Sequence, residues 1–182
     1  MNLPNKLTMM RVIMVPFFMV FAAMSHMGTL RFNATYALIA GILFAVASFT
    51  DFLDGYLARK NHLLTDFGKF MDPLADKVLV MAALLWFVEA GRLPAWVLLV
   101  VIVREFAVTA LRLIAVERGR VIAAAWSGKV KTASTMVCIC LMLLIARPAL
   151  DLVCAAVILV TTVYSGAEYF VKNKDVVDWS NL

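Results

Sequence analysis

The sequence has few of the residues on which soluble folds and common catalytic centres depend. Of its 182 residues, 16% are charged, two are histidine and three are cysteine. No polar stretch is long enough for a separate soluble domain, and no internal repeat is visible. Cys138, Cys140 and Cys154 lie in apolar segments without CxxC spacing, so we expect buried free thiols rather than metal ligands or a disulfide. No Ser/His or Cys/His pair points to a covalent intermediate.

Apolar residues, by contrast, make up 64% of the chain, and the mean hydropathy is +0.91. Because a soluble domain is roughly 45–50% apolar, these values indicate an integral membrane protein. The apolar segments lie at about Leu7–Met27, Asn33–Leu57, Pro73–Ala90, Pro94–Val116, Ala133–Ala146 and Leu150–Phe170. The fifth is short, and we expect it to begin near Trp126. The predicted fold is all-α, a single domain over residues 1–182 that forms a bundle of six transmembrane helices.

The positive charges predict an orientation for this bundle. If the N-terminus is cytoplasmic, the cytoplasmic side holds Lys6, Arg11, Arg59, Lys60, Lys69, Lys77, Arg118, Arg120, Lys129, Lys131, Lys172 and Lys174. The opposite side then holds only Arg31, Arg92 and Arg147. This asymmetry predicts a multi-pass membrane protein with both termini facing the cytoplasm. Topology explains the net charge of +5 better than nucleic-acid binding does, so we expect no nucleic-acid partner.

Four aspartates lie at the end of the second apolar segment and around the start of the third. Asp51 and Asp54 are spaced i,i+3, and Asp72 and Asp76 are spaced i,i+4, so each pair shares one face of a helix. Carboxylates near hydrocarbon are costly, and four close together repel one another unless cations neutralise them. Hard divalent metals prefer such oxygen ligands. The sequence therefore predicts a two-metal site, of the kind that clamps the attacking and leaving oxygens of a phosphoryl displacement.

These aspartates belong to the longer pattern Asp-x2-Asp-Gly-x2-Ala-Arg-x8-Gly-x3-Asp-x3-Asp. Its fixed positions are Asp51, Asp54, Gly55, Ala58, Arg59, Gly68, Asp72 and Asp76. The pattern resembles the signature of the CDP-alcohol phosphotransferase family, and the six-segment layout is similar to that family over nearly the whole chain. The resemblance implies a homodimeric enzyme that joins a CDP-linked lipid to an alcohol and releases CMP, with Mg²⁺ or Mn²⁺, in two ions, as cofactor.

The resemblance also implies roles for single residues. Asp51, Asp54 and Asp72 would be metal ligands, and Asp76 would be the catalytic general base that also touches a metal. The residues that would contact CDP-diacylglycerol are Asn5, Thr8, Gly55, Arg59 and Thr65. Without the resemblance, Asn5 and Thr8 are equally suited to capping the start of the first helix.

A second group of charged residues bears on the acceptor alcohol. Arg104 and Arg112 lie two helical turns apart within the fourth apolar segment, and Lys129 and Lys131 open the fifth. Arginines inside a span usually face the bundle interior or a wet cavity. These four residues predict a pocket for a second phosphate, although the two lysines also suit ordinary cytoplasmic flanks. We expect Glu105 to pair with a neighbouring arginine and hold it.

The segments that carry these residues resemble family members that use sn-glycerol 3-phosphate as acceptor. The implied substrates are CDP-diacylglycerol and sn-glycerol 3-phosphate, and the products are phosphatidylglycerophosphate and CMP. A sister enzyme that uses inositol phosphate, serine or phosphatidylglycerol is an alternative. A cation transporter is a further alternative, but transporters usually bind substrate near the bilayer midplane between repeats, whereas these acids gather at one edge.

Overall fold

The described part of the chain folds into helices and contains no strand. In the computed structural model the elements are α1 Leu3–Met24, α2 Ala34–Lys60, α3 Asp66–Glu89, α4 Ala95–Glu117, α5 Trp126–Leu144, α6 Pro148–Lys172 and a 3-10 turn at Lys174–Val176. The predicted all-α class is confirmed. The structure describes the backbone of residues 3–60, 66–123 and 125–176, and their side chains except at 3–5, 7, 51–60, 66–70, 72, 73 and 76.

The helix boundaries agree with the apolar segments in some places and extend beyond them in others. Helix α5 begins at Trp126, as expected. Helix α3 begins at Asp66, earlier than the predicted start at Pro73, because the polar first turns of a helix carry no apolar signal. Helix α1 begins at Leu3, so Asn5 and Thr8 lie inside it. Neither occupies the position before the first turn from which a side chain caps a helix, which removes the capping interpretation.

Arg92 draws three inter-helix turns together at one end of the bundle. Its guanidinium donates to both carboxylate oxygens of Asp151 at 2.8 and 2.5 Å. It also donates to the carbonyl oxygens of Met142 and Ile145 at 2.6 and 2.9 Å, and to Met27 Sδ at 2.6 Å. These residues come from the ends of α1, α5 and α6 and from the turn between α3 and α4. Because the α1–α2, α3–α4 and α5–α6 turns all lie at this one end, successive helices alternate in direction.

The interior and the exterior of the bundle are both apolar. Phe18, Phe44 and Phe87 have no exposed surface and lie in one continuous core. On the outside, Leu99 and Val160 remain 59% and 64% exposed, and similar side chains cover much of the other helices. So much exposed apolar surface is unusual for a soluble monomer.

Two described helices meet the length and hydropathy expected of a membrane span, namely α5 at Trp126–Leu144 and α6 at Pro148–Lys172. Two further apolar stretches, Thr8–Met24 and Ala34–Thr50, are shorter. Arg104, Glu105 and Arg112 interrupt the apolar sequence of α4.

Candidate active site

The start of α1 packs beside the part of α2 that leads to the first aspartate. Arg11 is fully buried, and its Nε donates to the carbonyl oxygen of Ala47 at 3.2 Å. The Thr50 hydroxyl donates to the same carbonyl at 2.8 Å. Thr8 is also fully buried, one turn before Arg11. Because α1 and α2 run in opposite directions, Thr8 lies close to the level of Asp51.

The structure gives the four aspartates a helical backbone. Asp51 and Asp54 lie within α2, and Asp72 and Asp76 lie within α3. Their side chains fall outside the described residues, as do those of Asn5, Gly55 and Arg59, while the whole of Thr65 is outside them. Among the side chains that are described, no group of three or more His, Cys, Asp or Glu could hold a metal ion. Four carboxylates on two helices nevertheless form a donor set that suits a hard divalent cation.

Glu105 in α4 is the centre of a cluster of three cations. Its Oε1 accepts hydrogen bonds from Arg104 Nη1 and from Lys131 Nζ, each at 2.8 Å. Lys77 Nζ of α3 lies 3.9 Å from Oε2 and donates to Thr109 Oγ1 at 2.7 Å. The predicted pairing of Glu105 with a neighbouring arginine is confirmed. We call these four charged residues, Lys77, Arg104, Glu105 and Lys131, the Glu105 cluster.

The Glu105 cluster has more positive than negative charge. Three cations face one carboxylate, so the cluster can accept an anion with about two negative charges, such as a phosphate monoester. A cavity of about 30 Å³ beside it is lined by Lys77, Glu105, Lys131 and Thr135 among others. That volume suffices for a water molecule. Thr135 Oγ1 is buried there and has no hydrogen-bond partner within the described part of the chain.

Arg104 connects the Glu105 cluster to α6. Its Nη2 donates to Ser165 Oγ at 2.6 Å. A Cβ atom added to Gly166 would lie only 3.2 Å from Arg104 Cγ. The Arg104 guanidinium lies 5.5 Å from the centre of the Tyr169 ring. The absence of a side chain at Gly166 therefore lets the arginine pass close to the α6 backbone.

Arg112 lies two turns beyond Arg104 on α4 and contacts the same tyrosine. Its Nη2 donates to the Tyr169 hydroxyl at 2.7 Å, and its guanidinium lies 5.3 Å from the ring centre. The shared face predicted for Arg104 and Arg112 thus meets one side chain of α6. The Lys129 side chain, in contrast, is exposed and makes no hydrogen bond or ion pair to the residues that the structure describes.

The structure therefore joins three of the four predicted acceptor residues and adds others. Arg104 and Lys131 meet at Glu105, and Arg112 joins Arg104 through Tyr169. The residues that the sequence interpretation missed are Lys77, Ser165 and Tyr169. Lys77 directly follows Asp76, so it places the Glu105 cluster at the aspartate end of α3. Ser165 and Tyr169 are polar residues one turn apart on an apolar helix, a signal that could have been used.

An exposed ion pair fixes the segment between α4 and α5 to the chain beyond α6. Arg120 donates to the carboxylate of Asp175, and this hydrogen bond lowers the pKa of Asp175 below its usual value. Both side chains are half exposed or more, so the pair contributes little to stability. It does hold the segment that precedes α5 close to the end of α6.

An apolar groove of about 480 Å³ runs between α3 and α4. Its lining includes Val78, Leu85 and Ile102, and it ends beside Lys77 and Glu105. A hydrocarbon chain in this groove would therefore reach the polar end of the bundle at the Glu105 cluster.

Comparison with known families identifies the group to which these features belong. A sequence profile of the CDP-alcohol phosphatidyltransferase family matches residues 1–166. This chain belongs to that family. The match includes both aspartate pairs, the Glu105 cluster and Ser165, and it ends before Tyr169.

Curated relatives cover most of the chain. A CDP-diacylglycerol--glycerol-3-phosphate 3-phosphatidyltransferase of Bacillus subtilis is 44% identical over 99% of this chain and 99% of its own length. A probable phosphatidylglycerophosphate synthase of Mycobacterium tuberculosis is 41% identical over 92% of this chain and 79% of its own. An Escherichia coli CDP-diacylglycerol--glycerol-3-phosphate 3-phosphatidyltransferase is 39% identical over 75% of this chain and 73% of its own.

Proposed function

We propose that this chain transfers the phosphatidyl group of CDP-diacylglycerol to sn-glycerol 3-phosphate, which yields phosphatidylglycerophosphate and CMP. The observation that carries the proposal is the Glu105 cluster, where three cations share one carboxylate next to the helix that bears Asp76. A neutral acceptor such as serine does not need such a cluster, whereas an acceptor with its own phosphate does. The Bacillus subtilis and Escherichia coli relatives are both named for glycerol-3-phosphate as acceptor, which agrees with this choice.

The aspartates of α2 and α3 are the residues that we assign to metal binding. Asp51, Asp54, Asp72 and Asp76 would hold two Mg²⁺ or Mn²⁺ ions. When bound, the ions would neutralise the pyrophosphate of the donor and the charge that develops on its oxygens during displacement. Losing any one carboxylate would weaken this donor set.

The displacement itself needs one base and one leaving group. Asp76 accepts the proton of the acceptor hydroxyl, a general-base role. The hydroxyl oxygen forms a bond to the phosphorus that carries diacylglycerol, and the bond from that phosphorus to the oxygen of CMP breaks. CMP leaves with the electron pair, so no covalent intermediate with the protein is required.

The donor nucleotide is assigned to residues around the ends of α1 and α2. Gly55, Arg59 and Thr65 would contact the CDP group, and Asn5 and Thr8 would approach it from α1. The hydrogen bond from Arg11 to Ala47 supports this arrangement, because it packs the first turns of α1 beside α2. The groove between α3 and α4 suits one acyl chain of the donor.

The acceptor phosphate is assigned to Arg104, Arg112 and Lys131, with Lys129 at the exposed margin. Charge-assisted hydrogen bonds from these side chains would hold a phosphate dianion. The positive charge that Glu105 leaves uncompensated provides the attraction.

The membrane arrangement that we propose is six spans with both termini in the cytoplasm. The helices are 19 to 27 residues long, so at 1.5 Å per residue even the shortest is about as long as the ~30 Å hydrocarbon core is thick. Their alternating directions and apolar outer faces support this arrangement. The active site would then face the cytoplasm of a bacterial cell. We also propose a homodimer, which the family resemblance implies.

The direct test is CMP release by the purified protein. CDP-diacylglycerol, sn-glycerol 3-phosphate and Mg²⁺ together should give CMP, and omitting any of them or adding EDTA should stop its release. If the protein instead carries cations across the membrane of reconstituted vesicles and releases no CMP, the transporter alternative is favoured.

A further inference from the structure

Tyr169 is a buried polar side chain for which the reaction above has no use. It lies near the end of α6 and is 2% exposed. Its hydroxyl accepts two hydrogen bonds, from Arg112 Nη2 at 2.7 Å and from the backbone N–H of Ala125 at 2.9 Å. One atom therefore connects α4, α6 and the residue that precedes α5.

The ring of Tyr169 also contacts both arginines assigned to the acceptor. The guanidiniums of Arg104 and Arg112 lie 5.5 and 5.3 Å from the ring centre. Cations are attracted to the negative face of an aromatic ring. This attraction offsets part of the repulsion between two arginines that lie near each other when no phosphate is bound.

The start of α5 is packed against the same side chain. A Cβ at Gly128 would lie 3.3 Å from Tyr169 Cε2 and 3.6 Å from Arg104 Nη2. A glycine here allows the first turn of α5, which leads to Lys131, to approach the tyrosine closely. Tyr169 thus contacts two of the acceptor residues and the helix that carries a third.

We propose that Tyr169 is a positioning residue of the acceptor site, whose hydroxyl holds the Arg112 guanidinium ready for the acceptor phosphate. The inference rests on the proposed function, because it assigns Arg112 to that phosphate. A long arginine side chain near the surface loses conformational freedom when it binds. The tyrosine imposes that restriction before the substrate arrives, so its removal weakens acceptor binding rather than the chemical step.

The test is a double-mutant cycle on the purified enzyme. The variants are Tyr169→Phe, Arg112→Gln and the double variant, and Tyr164→Phe is the control, since Tyr164 on the same helix is 66% exposed. We expect Tyr169→Phe to raise the KM for sn-glycerol 3-phosphate about 10-fold, as the loss of one charge-assisted hydrogen bond would. The KM for CDP-diacylglycerol and kcat should stay within about twofold of wild type, as should every constant of Tyr164→Phe. In the Arg112→Gln background, Tyr169→Phe should add less than about twofold.

Each departure has a distinct meaning. If Arg112→Gln raises the acceptor KM but Tyr169→Phe leaves it unchanged, the positioning role is wrong and the acceptor pocket stands. Additive effects, or an equal rise in both KM values, also overturn the positioning role, because the tyrosine then acts independently of Arg112 or supports the whole fold. If Arg112→Gln itself leaves the acceptor KM unchanged, both the pocket and the role of Tyr169 are wrong.

Discussion

Lys131 of α5 donates a hydrogen bond to Glu105 of α4 at 2.8 Å, and the two side chains are only 6% and 15% exposed. Arg104 donates to the same carboxylate oxygen. Buried ion pairs of this kind differ from surface pairs in the cost of losing one partner, because the remaining charge is then buried without compensation. The Glu105 cluster therefore supports the packing of α3, α4 and α5 as well as the proposed acceptor site.

Glu105→Ala should destabilise the protein markedly. Removing one partner of a buried pair costs about 3–5 kcal/mol. A chain of this size loses roughly 2–4 °C of Tm per kcal/mol, so a fall of at least about 6 °C is expected. Thermal unfolding in detergent, followed by circular dichroism, measures it.

Glu168→Ala is the matched control for that measurement. Glu168 pairs with Lys172 on α6, where the lysine side chain is 65% exposed, so its loss should change Tm little. Equal Tm values for Glu105→Ala and wild type would contradict the importance of the Glu105 cluster to the fold.

Asp51→Asn, Asp54→Asn and Asp72→Asn should each nearly abolish CMP release while the protein still inserts and folds. The reason is a shared metal cluster, in which losing one ligand disturbs both ions. Asp175→Asn is the control, since Asp175 is exposed and pairs with Arg120. Normal turnover by any one of the three variants would remove that aspartate from the set of essential ligands.

Asp76→Asn should lose catalysis but retain more binding of CDP-diacylglycerol than Asp51→Asn does. We assign Asp76 mainly to the chemical step, as the general base, although it also touches a metal, whereas Asp51 is assigned to metal-assisted binding of the pyrophosphate. Equilibrium binding of labelled CDP-diacylglycerol in the presence of Mg²⁺ compares the two variants. Equally weak binding would make Asp76 mainly a metal ligand.

Arg112→Gln should raise the KM for sn-glycerol 3-phosphate far more than the KM for CDP-diacylglycerol. A charge-assisted contact to phosphate is worth roughly 1.5–3 kcal/mol, or about 10- to 150-fold. Lys129→Gln should raise it less, because the Arg112 guanidinium is held by Tyr169 within the proposed pocket, whereas Lys129 lies at its exposed margin. Arg118→Gln at the exposed end of α4 is the control. Equal increases for both substrates would indicate a general collapse of the cavity.

Arg92→Gln should lower Tm without changing the ratio of the two KM values. Arg92 and Asp151 are 7% and 10% exposed and join the turns at the end of the bundle opposite the Glu105 cluster. The Arg92–Asp151 pair therefore contributes to the stability of the fold and not to substrate binding. Steady-state kinetics at a temperature where the variant remains folded would measure the ratio, and a selective rise in either KM would place Arg92 within reach of the active site.

The sequence was sufficient to predict features that depend on neighbouring residues of one helix. The periodicity that places Arg104 and Arg112 on one face is confirmed by their common contact with Tyr169. The pairing of Glu105 with a neighbouring arginine is confirmed too. The start of α5 at Trp126 follows from the length that a helix needs to cross the bilayer.

The contacts that the sequence did not predict join distant helices. Tyr169 is 57 residues from Arg112, and Ser165 is 61 residues from Arg104. Their meeting depends on how the helices rotate and pack, which periodicity along one helix does not determine. Lys77 was assigned only to the cytoplasmic flank for the same reason, although it bonds Thr109 of α4. The metal roles of the aspartates remain predictions, since their side chains lie outside the described residues.

The identity of the acceptor is the central claim, and a competition assay tests it most directly. Purified protein would receive CDP-diacylglycerol and Mg²⁺ with equal concentrations of sn-glycerol 3-phosphate, inositol phosphate, serine and phosphatidylglycerol, and mass spectrometry would identify the lipid products. The account predicts phosphatidylglycerophosphate as the dominant product, formed in step with CMP. Dominance of the inositol phosphate, serine or phosphatidylglycerol product would contradict it.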